Sequence, residues 1–119
     1  MVESRRRILV VEDEYFIAEE LRGALDRLGA TVVGPVPTGE KALALLKSEP
    51  IDMAVLDINL RGEMSFAVAD ALEERGIPFV FATGYDHTAV PERYRNVPHW
   101  PKPFDPEQLV LIALDLQQP

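Results

Sequence analysis

The stretch Ala54-Val55-Leu56-Asp57-Ile58-Asn59-Leu60 constrains this chain more than any other. An apolar run leads to a single carboxylate, and the glycine-containing loop Arg61-Gly62-Glu63 follows. A run this apolar reads as a strand buried on both faces, which requires a layer above it and another below. A carboxylate at its end is costly to bury unless the strand terminates at a polar site beside a cation. The stretch therefore asks for a covered sheet and for a site at one end of it.

The rest of the chain supplies the layers. Ile8-Leu9-Val10-Val11 reads as a first strand that runs into Glu12-Asp13-Glu14. Ile17, Leu21, Ala24 and Leu28 then recur at helical spacing, and Gly29 stands where a left-handed C-cap glycine is expected. Thr31 to Val36 is a second strand whose Pro35 lacks an N–H and so assigns it to an edge. Thr38 caps a second helix with Glu40 in its first turn and Ala42, Leu43 and Leu46 on its apolar face; Pro50 closes it. The third strand is Met53 to Asp57, and a third helix runs from about Met64 to Arg75, with Val68 and Leu72 inward and Gly76 as its stop. Pro78 to Thr83 is the fourth strand, apolar until the hydroxyl at its end.

From Gly84 to Val97 no clean apolar period appears, which predicts a short or mobile element. Val97-Pro98-His99-Trp100 is a brief fifth strand, again proline-bearing and so an edge. After Pro101-Lys102-Pro103-Phe104, the run Asp105-Pro106-Glu107-Gln108 opens a final helix that buries Leu109, Ile112, Ala113 and Leu116. Strands alternating with helices imply an α/β fold, a doubly wound five-stranded parallel sheet with helices on both faces. Proline at the edges and right-handed crossovers give the order 2-1-3-4-5, and ligands of such sheets bind where the winding reverses, here between strands one and three.

Composition narrows the function. With 119 residues and no repeat, the chain reads as a single domain over 1–119. Its net charge of −8 argues against nucleic acid or an anionic membrane as a direct partner. Arg5-Arg6-Arg7 reads as a solvated flank of the first strand. There is no cysteine, hence no disulfide and no thiolate metal site. No apolar run has signal-peptide or membrane-span character, so a soluble, cytoplasmic protein is expected.

In this topology Glu12, Asp13, Asp57, Thr83 and Lys102 come to one edge of the sheet. Three carboxylates that close repel one another unless a cation sits among them, and hard oxygen donors suit Mg²⁺. The backbone carbonyl of Asn59 is a further candidate ligand. A metal on one side and Lys102 on the other form an electrostatic clamp for a phosphoryl group. Asp57, alone on its strand, is the best nucleophile, and its attack on a phosphoryl donor makes an acyl phosphate. Thr83 then turns its hydroxyl to a phosphoryl oxygen, which moves the loop after strand four.

These residues resemble the receiver domain of two-component response regulators. The resemblance rests on Val10-Val11-Glu12-Asp13-Glu14, Leu56-Asp57, Ala82-Thr83-Gly84 and Lys102-Pro103-Phe104, and it covers nearly the whole chain. It implies a flavodoxin-like (βα)5 fold. It also implies phosphotransfer to Asp57 from a sensor histidine kinase or a histidine phosphotransfer protein, with Mg²⁺ at Glu12 and Asp13 and a downstream protein as target. Asn59 and Tyr85, two residues past Asp57 and Thr83, match places that tune how fast water removes the phosphoryl group. The surface around helix one and from strand five to helix five matches the family's docking area. Two departures stand out. His99 occupies the place of the usual aromatic switch, three residues before the lysine, and Arg61 stands where many receivers have proline. Phe81-Ala82-Thr83-Gly84-Tyr85 resembles a subgroup with a Phe-Ala-Thr-Gly signature, in which Tyr85 acts in place of the missing aromatic and the fourth helix is poorly formed.

Other readings compete. An aspartyl-nucleophile phosphatase of the haloacid-dehalogenase type needs an acid two residues after the nucleophile, where this chain has Asn59. A degenerate receiver that binds partners without phosphorylation would have no use for the acids and the lysine. Glu14 reads as acidic first-turn residue of helix one. His87 and His99 lack metal-ligand spacing, and Trp100 and Phe104 read as core or site-wall aromatics.

Overall fold

The fold was analysed in a computed structural model that describes residues 6–60, 63–83, 91–94, 97 and 99–101. Strand β1 (Arg7–Val11) leads into helix α1 (Tyr15–Arg27), and β2 (Thr31–Val36) into α2 (Gly39–Ser48). Strand β3 (Met53–Asp57) is followed by two short strands, β4 (Asn59–Leu60) and β5 (Glu63–Met64), and then by α3 (Phe66–Glu74). Strand β6 (Phe79–Thr83), a 3₁₀ turn (Glu92–Tyr94) and β7 (His99–Pro101) complete the described chain. The five-stranded sheet has the order β2-β1-β3-β6-β7 with every pairing parallel, the expected 2-1-3-4-5. Both proline-bearing strands lie at its edges.

The strand alternation sorts the core into two layers. Leu9, Val11, Ala54, Leu56, Phe79 and Phe81 face one way and pack with Ala42 and Leu46 of α2 and Val68, Ala69 and Leu72 of α3. Ile8, Val10, Met53, Val55, Val80 and Ala82 face the other way and pack with Leu21, Ala24 and Leu25 of α1. All five residues of β3 are buried, as an apolar run between two layers requires.

Most local signals act as their chemistry dictates. The Thr38 hydroxyl accepts from the Lys41 amide at 3.2 Å and starts α2. Gly29, at φ +83°, ends α1 while the Ala30 amide returns to the Leu25 carbonyl at 3.0 Å. Gly34 matters for another reason. Its φ is +96°, and a Cβ there would lie 2.9 Å from the Val36 nitrogen. Only glycine fits where the β1–β2 register shifts between Leu9 and Val11.

Four expectations are corrected. Leu28 is not part of the buried face; it is the C-cap, 38% exposed, and Leu25 takes the inward place. Glu14 is the N-cap of α1 rather than a first-turn residue. Helix α3 starts at Phe66 and not Met64, because Asn59 pairs with Met64 and Leu60 with Glu63 in an antiparallel ladder that uses up the residues before it. Arg7 is not a solvated flank: it begins β1, with its amide on Asp52 at 2.7 Å, its Nε on the Pro50 carbonyl at 2.8 Å and its guanidinium on Glu49. The expected final helix over 105–116 and the segment 84–90 lie outside the described residues. Among the described residues no helix is long and apolar enough to cross a membrane.

Candidate functional site: an acidic cluster at the carboxyl ends of the central strands

The register sets where the functional residues fall. Val11 pairs with Leu56, so Glu12 and Asp13 leave β1 level with the end of β3 at Asp57. Asp57 pairs with Ala82, and the next residue, Thr83, ends β6 opposite Pro101. One edge of the sheet thus gathers the ends of four strands, with the reversal of winding between β1 and β3.

Glu12 is held from both sides. Its amide donates to the Val36 carbonyl at 3.0 Å, a bond that the Gly34 bend makes possible by bringing Val36 level with Val11. Its Oε2 accepts from the Glu14 amide at 3.2 Å as the chain turns into α1. Glu12 and Asp57 are each 3% exposed, whereas Asp13 is half-buried. Each of the three offers a carboxylate oxygen, and these atoms lie within 4.8 Å of one another. Carboxylates this close, two of them out of water, repel strongly, and a hard divalent cation is the counter-charge that suits such a donor set.

The segment after Asp57 is fastened to α3. Ser65 Oγ donates to the main-chain carbonyl of Asp57 at 2.6 Å, and the Ser65 amide donates to the Ile58 carbonyl at 2.9 Å. Sequence reasoning passed over Ser65, although a serine before Phe66-Ala67-Val68 carries an N-cap signal. It also passed over Tyr94, which is 1% exposed and packs against Phe66, Phe79 and Phe81 with ring centroids 5.8 to 6.2 Å apart. The Tyr94 hydroxyl donates to Asp70 Oδ1 on α3, and Arg93 binds the same carboxylate at 3.1 Å. A lone tyrosine between charged residues carries no period, which is why this anchor is hidden in the sequence.

Of the predicted site residues, Glu12, Asp13 and Asp57 are brought together. Asn59 in β4, Thr83 in β6 and His99 in β7 are located by their backbones, His99 opposite Phe81 and so two residues inward of the sheet end. Lys102 and Tyr85 lie outside the described residues.

A fold of this order with such an acidic edge defines a receiver domain, and the chain belongs to that family: the model of the response regulator receiver domain matches residues 8–113. It is a signalling domain of two-component systems, and receivers of this family bind Mg²⁺, which the donor set here fits. Among curated proteins, the sensory transduction protein LytT of Bacillus anthracis is 35% identical over 109 residues, which cover 87% of this chain and 44% of that protein. The chain therefore spans less than half the length of that relative. The solution structure of SdrG from Sphingomonas melonis Fr1 is similar at 46% identity and a TM-score of 0.81, covering 95% of this chain and 98% of that one. The response regulator TrrA from Thermotoga maritima, in complex with Mg²⁺ and BeF, is similar at 27% identity and a TM-score of 0.79, covering 93% and 98%.

Proposed function

We propose that Asp57 is the phosphoacceptor of this receiver and takes its phosphoryl group from a sensor histidine kinase or a histidine phosphotransfer protein. The observation that carries the reading is the meeting of the Glu12, Asp13 and Asp57 carboxylates within 4.8 Å at the ends of β1 and β3. Glu12, Asp13, Asp57 and the backbone carbonyl of Asn59 would hold Mg²⁺, which when bound offsets charge on the carboxylates and on the phosphoryl oxygens. A carboxylate oxygen of Asp57 attacks phosphorus, the P–N bond to the donor imidazole breaks, and the imidazole leaves with a proton. The products are an aspartyl phosphate and a neutral histidine. Lys102 neutralises charge on the transferred group, and Thr83 hydrogen-bonds a phosphoryl oxygen. Tyr85 and His99 carry the change to a face that binds a downstream protein. Water then attacks the acyl phosphate at the same site, which resets the switch.

The donor docks beside the cluster. Tyr15 and Phe16, 70% and 79% exposed, stand edge to face at the start of α1, two and three residues past Asp13. A solvent-facing aromatic pair beside an acidic site suits a partner helix that presents its histidine to Asp57. The partners are proteins rather than nucleic acid or membrane, in keeping with the net charge of −8, and the setting is cytoplasmic.

The test is intact-mass analysis after incubation with Mg²⁺ and a small phosphodonor such as acetyl phosphate. One phosphoryl adduct is expected, abolished by Asp57→Asn and by chelation. No adduct on the unaltered chain would make it a receiver that binds partners without phosphorylation.

A further inference from the structure

Ser65 occupies the N-cap of α3, where a serine hydroxyl ordinarily accepts from an amide of the first turn. Here it makes no such cap. The side chain, 1% exposed, turns back eight residues and donates to the Asp57 carbonyl at 2.6 Å. Its amide donates to the next carbonyl, that of Ile58, at 2.9 Å. Its own carbonyl accepts from the Val68 and Ala69 amides at 3.0 and 3.2 Å, which ties it into the first turn of α3. One residue therefore clamps both peptide planes that follow the Asp57 side chain to a helix anchored in the core by Val68, Ala69 and Leu72. The hydroxyl has given up a local cap to do so.

We infer that Ser65 is a positioning residue for the acidic site, acting through the backbone of Asp57 and Ile58 on the Asp57 carboxylate and the Asn59 carbonyl. This rests on the reading of Asp57 as phosphoacceptor and metal ligand. The two peptide planes set the direction in which the Asp57 side chain leaves the strand and the direction in which Asn59 enters β4. A ligand set that must match the near-octahedral demand of Mg²⁺ tolerates little drift in either. Without the hydroxyl, the buried Asp57 carbonyl loses the donor that ties it to α3, and its peptide plane is freer to rotate. Groups that orient metal ligands from behind typically change affinity by about 10- to 100-fold when removed.

The experiment compares the unaltered chain with Ser65→Ala, Ser65→Thr and Arg7→Ala, the last removing the guanidinium contacts to Pro50 and Glu49 at the amino end of β1, opposite the cluster. Mg²⁺ dissociation constants are read from amide chemical shifts during titration with MgCl₂, melting temperature reports stability, and adduct formation from acetyl phosphate is followed by mass. Ser65→Ala is expected to bind Mg²⁺ roughly tenfold more weakly and to form adduct more slowly, with the Asp57 carbonyl-carbon shift displaced. Ser65→Thr keeps the donor and is expected to bind as the unaltered chain does. Arg7→Ala is expected to lose stability without loss of affinity. An unchanged dissociation constant in Ser65→Ala, an equal loss in Arg7→Ala, or a Ser65→Thr protein as impaired as Ser65→Ala would each overturn the inference. If the unaltered chain itself neither binds Mg²⁺ nor forms adduct, the reading of Asp57 fails instead.

Discussion

Removing the charge of Asp57 should stabilise the metal-free protein. In the folded chain its carboxylate shares a space of 4.8 Å with those of Glu12 and Asp13, and the unfolded chain has no such crowding. Two unit charges 4.8 Å apart repel by about 3.5 kcal/mol at an effective dielectric of about 20. Asp57 has two such neighbours, but Asp13 is half-buried and solvated, and the side chains can separate slightly. A net gain of about 1–3 kcal/mol is expected for Asp57→Asn in chelator. For a chain of this length each kcal/mol moves the melting temperature by about 4 °C, so the rise is roughly 4–12 °C. Mg²⁺ reverses the order. It binds the folded acidic cluster and raises the melting temperature of the unaltered chain with the logarithm of its concentration, while the asparagine variant responds weakly. Calorimetry at neutral pH across a Mg²⁺ series reads both effects. A variant no more stable than the unaltered chain in chelator, or equal Mg²⁺ responses from the two proteins, would refute the reading of the cluster as mutually repelling carboxylates that a divalent cation draws together.

Other consequences are open to measurement. Gly34→Ala puts a Cβ 2.9 Å from the Val36 nitrogen at φ +96°, so a loss of about 1–3 kcal/mol is expected in chemical denaturation; an unchanged midpoint would show that the β2 bend is not needed. Tyr94→Phe removes the donor to Asp70 and should cost about 1–2 kcal/mol by the same method. Asp70 is held below the usual carboxylate range by the Tyr94 hydroxyl first, with burial opposing and Arg93 adding to the lowering. Its contribution is therefore present above the unfolded carboxyl pKa of 3.8 and fades as pH falls through the lower folded value. The stability gap to Asp70→Asn should accordingly close in acid; a gap independent of pH would refute this. Phe16→Ala should slow phosphotransfer from a cognate histidine phosphodonor while leaving phosphorylation by acetyl phosphate unchanged, and equal slowing of both would place Phe16 in the chemistry rather than in docking.

The sheet was legible because its determinants are local and strong. Proline marks β2 and β7 as edges, and the unbroken apolar runs of β1, β3 and β6 mark the middle. The acidic cluster was legible once that order put Glu12 and Asp57 on adjacent strand ends. What escaped were interactions that have no period. The start of α3 was misread because pairing between Asn59–Leu60 and Glu63–Met64 competes with helix propensity and wins. Leu28 fits the helical spacing, yet the left-handed turn at Gly29 ends α1 there and leaves it exposed. Ser65 and Tyr94 act over 8 and 24 residues of separation through single hydroxyl groups, and no spacing rule reports a hydroxyl's partner.

The most direct measurement locates the phosphoryl group. The protein is incubated with Mg²⁺ and a phosphorylated histidine phosphotransfer protein, treated with borohydride to reduce the acyl phosphate to homoserine, digested and sequenced by tandem mass spectrometry. Homoserine is expected at position 57, dependent on Mg²⁺, with none at Asp13 and no 5-hydroxynorvaline, the product of a reduced glutamyl phosphate, at Glu12. Modification at another carboxylate, or an adduct that survives in Asp57→Asn, would contradict it.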